Sequence, residues 1–338
     1  IKSNHFSKNQ IKERDLFYGS LEGLAGATDD PYTVFMDPEL TTEFYQDLAG
    51  TFEGIGAEVG KRDDMITIVA PLEGMPAQKA GLRAGDKVYA INGESALGLT
   101  VTEAVKKIRG PKGTTVTLTI IRGEAKPFDV EIVRDKIVIA SVETEMRSDG
   151  YYIIRITNFN DDTKALFNQA VNDILTKSPK GIILDLRNNP GGYLETAVFV
   201  ASEWIKDGLV VAEQFGENRR NEHFSNQRAR LKDFATVVLI NEGSASASEI
   251  VAGALRDYKE ATIIGTQSFG KGSVQAIKDL SDGSSLKLTV AHWLTPAGDQ
   301  INDKGIEPTI IVDLTEKDIE NKKDPQLDRA LEFLKTGK

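Results

Sequence analysis

An α+β, multidomain fold is the class the sequence predicts, and three observations carry it. The chain has 338 residues, more than the roughly 100–200 that one packed domain usually holds. Between about 52 and 136, short β-rich runs alternate with glycine-rich turns and little helix. From about 150 onward the rhythm becomes strand, turn, helix, the pattern of an α/β layer. The expected divisions are an N-terminal helical segment at 1–51, a β-domain at 52–136, an α/β core at 137–313 and a C-terminal helical tail at 314–338.

Each element has a local warrant. Residues 1 to about 50 lack strand alternation, and Leu16, Tyr18, Leu21 and Leu24 recur at helical spacing before the break at Asp29-Asp30-Pro31. A second helix is predicted over 38–48, with Asp37 as N-cap and Pro38 in its first position. In the β-domain, strands are predicted over 58–59, 66–69, 87–91, 115–122 and 128–133, with a helix over 102–108. In the core, strands over 151–156, 181–186, 235–240, 261–265, 285–291 and 309–312 are interspersed with helices over 162–175, 193–205 and 248–258. The charged tail reads as one amphipathic helix over 325–334.

Composition excludes several function classes. The formal charge, 41 − 51 = −10, argues against nucleic acid as a partner, because a phosphate-binding face must be basic. Hydrophobic residues at 40% and charged residues at 27% are ordinary for a globular chain. Cysteine is absent, which removes disulfides, thiolate nucleophiles and cysteine-built metal centres together. His5, His223 and His292 are the only histidines and stand in no metal-ligand spacing, so no metal site is expected. No apolar run approaches the ~18–20 residues of a membrane span. The chain begins at Ile1, so a targeting or anchor segment is expected to have been removed, and the lack of cysteine fits an extracytoplasmic protein.

Three segments carry chemistry. Asn241-Glu242-Gly243-Ser244-Ala245-Ser246-Ala247-Ser248-Glu249 joins an apolar strand to a helix. A serine on such a turn stands proud of the strand end, and the helix start offers unpaired N–H groups to a developing oxyanion. Read alone, the run is equally a serine N-cap, and its three serines leave the nucleophile open. Asn188-Asn189-Pro190-Gly191-Gly192 lies between another buried strand and a helix, and its glycines let a backbone N–H face a ligand. Read alone, it is a plain turn. In Phe269-Gly270-Lys271-Gly272-Ser273-Val274-Gln275 a lysine stands where flanking bulk is cleared, and Gln275 falls on its side in a strand or a helix. Read alone, it is a solvated loop.

With so few histidines, a neutral lysine is the alternative to His292 as a serine's base. Lysine ordinarily titrates at about 10.4, and lowering that by roughly three pH units costs about 4 kcal/mol. A domain's whole stability is about 5–15 kcal/mol. Burial and an amide partner can bring this about, whereas a carboxylate partner pushes the wrong way, which suits glutamine at 275.

Together these segments resemble the carboxyl-terminal processing peptidases, also called tail-specific proteases. Phe52-Glu53-Gly54-Ile55-Gly56-Ala57-Glu58-Val59, Asp30-Pro31-Tyr32, Trp293-Leu294-Thr295-Pro296-Ala297-Gly298 and Lys304-Gly305-Ile306-Glu307-Pro308 fit the same family, so the likeness runs over roughly 15–312. The resemblance implies Ser246 as nucleophile, Lys271 as base and Gln275 as the residue orienting the lysine. It implies an oxyanion hole from the Ala247 N–H and one N–H of Gly191 or Gly192, and a crotonase/ClpP-like α/β serine protease core. It requires no cofactor.

The β-domain then resembles that family's PDZ domain, with Pro76 to Asp86 and Ile91-Asn92-Gly93 matching its helix and turn. Gly54, Ile55 and Gly56 can present successive N–H groups to a C-terminal carboxylate while an edge strand pairs with the peptide. Arg109, ending the second helix of that domain, is implied to couple it to the protease core. The implied partners are protein substrates with unstructured apolar C-termini, an adaptor or lipoprotein that delivers them, and a second copy of the chain. Two other classes compete. A PDZ-bearing scaffold would need neither Ser246 nor Lys271, and covalent labelling by a serine-reactive probe separates it. A crotonase-like acyl transferase would bind acyl-CoA.

Overall fold

A computed structural model describes residues 5, 6, 10, 12–62, 64–72, 74–123 and 125–337. Their contacts divide into two units, Thr51–Ile139 and the remainder of the chain. The first fifty residues carry α1 (Glu13–Gly26), β1 (Val34–Met36) and α2 (Pro38–Leu48). The cap signals of α2 are realised: Asp37 Oδ1 accepts the Leu40 N–H at 2.9 Å, with Pro38 at the first position.

Thr51–Ile139 contains β2 (Thr51–Gly54), β3 (Ala57–Arg62), β4 (Met65–Pro71), α3 (Pro76–Lys79), β5 (Lys87–Ile91), β6 (Glu94–Ser95), α4 (Val101–Ile108), β7 (Thr115–Ile121), β8 (Phe128–Val133) and β9 (Asp135–Val138). The sheet runs β3-β4-β5-β7-β8 with β6 on β5, and β2 pairs with β9 as a separate ribbon. Every second residue of β7 is buried, so Val116, Leu118 and Ile120 meet Ile66, Ile68, Val88 and Ile108 in a core of their own. The buried Asp86 carboxylate takes Arg122 in a fork, 2.7 Å to each oxygen.

The remaining chain carries β10 (Val142–Met146), β11 (Tyr151–Ile156), α5 (Thr163–Lys177), β12 (Gly181–Asp185), α6 (Leu194–Ala201), β13 (Leu209–Phe215), β14 (Arg219–Phe224), β15 (Thr236–Ile240), α7 (Ala247–Asp257), β16 (Thr262–Gly265), β17 (Ser273–Asp279), β18 (Ser285–Leu294), β19 (Ile310–Ile311), α8 (Glu316–Glu320) and α9 (Pro325–Thr336). A six-stranded sheet runs β10-β11-β12-β15-β16-β19, parallel except where β10 meets β11. Every residue of β12 and β15 is buried, because the sheet is covered on both faces. Phe167, Val200 and Leu255 of α5, α6 and α7 share one cluster, and Ala330 and Leu331 of α9 pack with Ile183, Val237 and Leu239 in another. A second, antiparallel sheet runs β1-β18-β13-β14, with β17 also on β18.

Several expectations are corrected here. The N-terminal segment is not helical throughout, since β1 pairs with β18 through Phe35↔Leu286. Three residues are too few to show alternation, and only the distant partner makes them a strand. Neither this segment nor the tail stands apart: Thr41 Oγ1 lies 3.0 Å from Ser285 Oγ, and α9 completes a core cluster. Residues 273–279, which the sequence leaves open between strand and helix, form a strand. The β13–β14 hairpin was not expected, because β14 is almost wholly exposed and has no apolar pattern to read. The helix expected to reach 205 ends at Ala201, where the Ser202 and Glu203 carbonyls take the Ala229 and Leu231 N–H groups instead. Among the described residues no helix is long and apolar enough to cross a membrane.

Candidate active site

β12 and β15 are neighbours in the parallel sheet, so the turns that follow their C-terminal ends lie side by side, the usual place for a site in such sheets. Asparagines stitch the turns together. Asn241 Oδ1 accepts the Asn188 N–H at 2.8 Å, and Asn241 Nδ2 donates to Asn188 Oδ1 at 2.9 Å. The Asn189 carbonyl accepts both the Ala245 N–H at 3.0 Å and the Ser248 hydroxyl at 2.9 Å. The Ser244 hydroxyl donates to the Leu186 carbonyl at 2.8 Å. Two serines of the run are thus buried in scaffolding bonds, and Ser246 is the one that lines a cavity.

Ser246 sits immediately before α7 with φ 53° and ψ −113°. A non-glycine residue there stores about 1–3 kcal/mol of strain, which the surroundings must hold in place. Glu249 does so from the third position of the helix, its Oε2 accepting the Ser246 N–H at 2.7 Å. Its other oxygen accepts the Ser268 hydroxyl and the Gly270 N–H, both at 2.6 Å. One buried carboxylate therefore joins the serine turn to the loop that carries Lys271. Burial pushes the Glu249 carboxyl up, against these donors. Glu249 was not singled out from the sequence, although its spacing of three from Ser246 is a capping-box signal.

Lys271 is half-buried, and its Nζ lies 5.2 Å from the centroid of the Tyr32 ring. Among the described residues no carboxylate lies within ion-pairing distance of it. Burial, and then the charge of Lys287, holds the amine below the ordinary lysine range, with Glu249 pulling weakly the other way. Bulk is cleared on one side by necessity, since a Cβ at Gly272 would overlap the Asn302 backbone. Ser246, Lys271, Gln275, Gly191 and Gly192 all line one cavity of about 390 Å³, whose apolar wall includes Phe44, Leu48, Tyr193, Val274, Ile277 and Trp293.

Gln275 reaches the cavity by another route than the spacing implied. Lys271 precedes β17, so strand periodicity does not relate the two, and the ladder is irregular between Val274 and Gln275. The Gln275 amide nitrogen donates to the Ser273 hydroxyl at 2.8 Å and the Ser273 carbonyl at 3.1 Å. The glycine turn is packed directly on the serine, because a Cβ at Gly191 would lie 2.8 Å from Ser246 Cβ and 3.0 Å from the Ala247 nitrogen. The Gly191 N–H donates to Asn189 Oδ1 at 2.9 Å. The N–H groups of Gly192 and Ala247 have no acceptor among the described residues.

In the Thr51–Ile139 unit, the Ile55 and Gly56 N–H groups likewise have no acceptor there, while both carbonyls are taken, by Ala77 and Leu72. Gly56 has φ 69°, and a Cβ on it would lie 2.5 Å from Met75 Cβ. β3 follows at the edge of its sheet with α4 beside it, an open strand of the kind that peptides extend. Arg109 caps α4, and its guanidinium lies 4.6 Å from the ring centroid of Phe52, two residues before Gly54.

The peptidase family S41 model matches residues 150–312, and a PDZ domain model matches 67–122. The carboxy-terminal processing protease CtpA of Bacillus subtilis (strain 168) is 40% identical over 314 residues, covering 93% of this chain and 67% of that protein. The chain belongs to peptidase family S41, among its carboxyl-terminal processing proteases. A Staphylococcus aureus (strain bovine RF122 / ET3-1) protein named "Probable CtpA-like serine protease" is 39% identical over 93% of this chain and 63% of its own. The chain thus spans about two thirds of these relatives' length. Of solved structures, the photosystem II D1 C-terminal processing protease has a TM-score of 0.59 at 29% identity, over 92% of this chain and 85% of that one. Both domain types of the family are present, a PDZ domain and a mixed α/β peptidase domain.

Proposed function

We propose that the protein is a serine endopeptidase in which Ser246 and Lys271 form a catalytic dyad. The observation that carries this reading is a strained serine at a helix start sharing one cavity with a lysine that, among the described residues, has no carboxylate within ion-pairing distance. Uncharged Lys271 takes the Ser246 proton as Oγ bonds to the substrate carbonyl carbon. The resulting oxyanion accepts hydrogen bonds from Ala247 and from Gly192, because Gly191 spends its N–H on Asn189. The carbon–nitrogen bond breaks as the Lys271 ammonium returns the proton to the leaving amine, leaving an acyl-enzyme. Lys271 then deprotonates water, which attacks the ester, and the proton restores Ser246. Gln275, which lines the same cavity, orients the lysine through an uncharged amide, so it does not raise the lysine's proton affinity as an acid would.

In this reading the Ile55-Gly56 turn, with Gly54 at the end of β2, captures the free carboxylate of an unstructured, apolar C-terminus, which extends β3. Arg109 reports that occupancy to the protease core. The layered core belongs with crotonase and ClpP folds, and the enzyme works outside the cytoplasm, as a self-associating chain served by an adaptor or lipoprotein. The deciding experiment incubates the protein with an unfolded protein ending in apolar residues and maps the fragments. Ser246→Ala and Lys271→Ala should each abolish cleavage, whereas Ser244→Ala and Ser248→Ala should leave the cleavage sites unchanged. Turnover surviving in either of the first two sinks the dyad.

A further inference from the structure

The cavity that holds Ser246 and Lys271 has a second amine. Lys287 lies on β18, opposite Val34 of β1 and Ile277 of β17, and lines the same 390 Å³ space. It is half-buried, and its Nζ lies 5.4 Å from the centroid of the Phe44 ring. Among the described residues no carboxylate lies within ion-pairing distance of this amine either. We infer that Lys287 is a second active-site cation whose charge keeps the Lys271 amine unprotonated, and so sets the lower pH limit of catalysis. This rests on the Ser246–Lys271 reading above.

Two ammonium groups in one partly dry cavity repel, and the repulsion is relieved when one loses its proton. The surroundings decide which. Burial lowers the Lys287 amine as well, but Asp30, whose carboxylate accepts the Tyr32 N–H at 3.0 Å and the Thr33 hydroxyl at 2.6 Å, opposes this and favours the charged form of Lys287. Lys271 is more deeply desolvated and feels, besides Lys287, only the buried Glu249. That carboxylate already spends its oxygens on Ser246, Ser268 and Gly270. The other titratable groups around the pair are Tyr32, beneath the Lys271 amine, Asp303, which acts on Tyr32, and Asp47, Tyr193 and Glu213 on the cavity wall. One N-terminal turn, Asp30 to Tyr32, therefore meets both lysines, offering a carboxylate to one and a ring face to the other.

The test is the pH dependence of kcat/KM for the full chain on an unfolded protein with an apolar tail. The acid limb of that profile reports the free enzyme's base. In Lys287→Met, Lys271 holds its proton more tightly, so the limb should move up by about 0.5–1 pH unit, a roughly three- to tenfold loss on the limb that alkaline pH recovers. Lys287→Arg should keep the original limb, and Lys287→Gln should repeat the shift if the methionine variant fails to fold. An unmoved limb overturns the inference. So does an equal loss at every pH, or a loss confined to substrates with acidic side chains, which would make Lys287 a substrate contact. Lys271→Ala run alongside separates the two levels. Its retained turnover removes the dyad, while its inactivity beside an unmoved Lys287→Met limb removes only the role of Lys287.

Discussion

Glu249 is fully buried, yet it touches no part of the cavity surface. Its two oxygens hold the Ser246 and Gly270 N–H groups, so it fixes the separation of serine and lysine from behind. Glu249→Gln places an amide NH2 against one of those donors. This should lower kcat by about 10²-fold with KM little changed, because misplacing reacting groups by about an ångström costs that much. Steady-state kinetics together with a melting curve check it, and an equal loss of folding would make the residue merely structural. The segments that line the cavity were legible in advance. Ser246, Lys271 and the Gly191-Gly192 turn stand in segments whose small residues and helix starts advertise close approach. Glu249 and Lys287 were not singled out, since a buried cap and an alternating strand position look ordinary until their distant neighbours are known.

Helix α9 shows what elements add. Arg187, just past β12, forks onto both oxygens of Asp324, the N-cap of α9, at 2.8 and 2.9 Å, and onto Asp185 at 2.9 and 2.8 Å. Gln326 adds a contact at 3.1 Å. The residue that follows Arg187 opens the turn ending at Gly192, so the tail of the chain is clamped to the strand end that presents that turn. These carboxylates drive the Arg187 guanidinium even further toward its charged form. Asp324→Ala should cost about 1–3 kcal/mol in urea unfolding and lower kcat as the turn loosens. A stability loss with unchanged kcat would separate the helix from catalysis. The helix was legible, with Pro325 at its start and an apolar stripe, but its docking was not, because Asp324 and Arg187 are 137 residues apart.

At the scale of the molecule, Thr51–Ile139 has its own core and its own open strand edge. The coupling to catalysis proposed above rests on Arg109, stacked on Phe52 of the strand that leads into the Ile55-Gly56 turn. Arg109→Ala should lower cleavage by about tenfold while binding a free-acid C-terminal peptide within about twofold of the unaltered protein. Fluorescence anisotropy and fragment yield measure the two, with a C-terminally amidated peptide expected not to bind. Full cleavage by the variant ends the coupling idea. Local pattern alone set out the division into a β-rich domain and an α/β core and marked the two strand-to-helix turns that line the cavity, since each follows from side-chain period, glycine freedom and cap chemistry within a few positions. Folding in three dimensions bound the Ser244 and Ser248 hydroxyls to carbonyls and left Ser246 on the cavity, made 273–279 a strand, drew both chain ends into the core unit and set Lys287 and Glu249 around Lys271. Those outcomes depend on partners up to 264 positions away, as between Tyr18 and Asp282, and no local pattern encodes where such partners will meet.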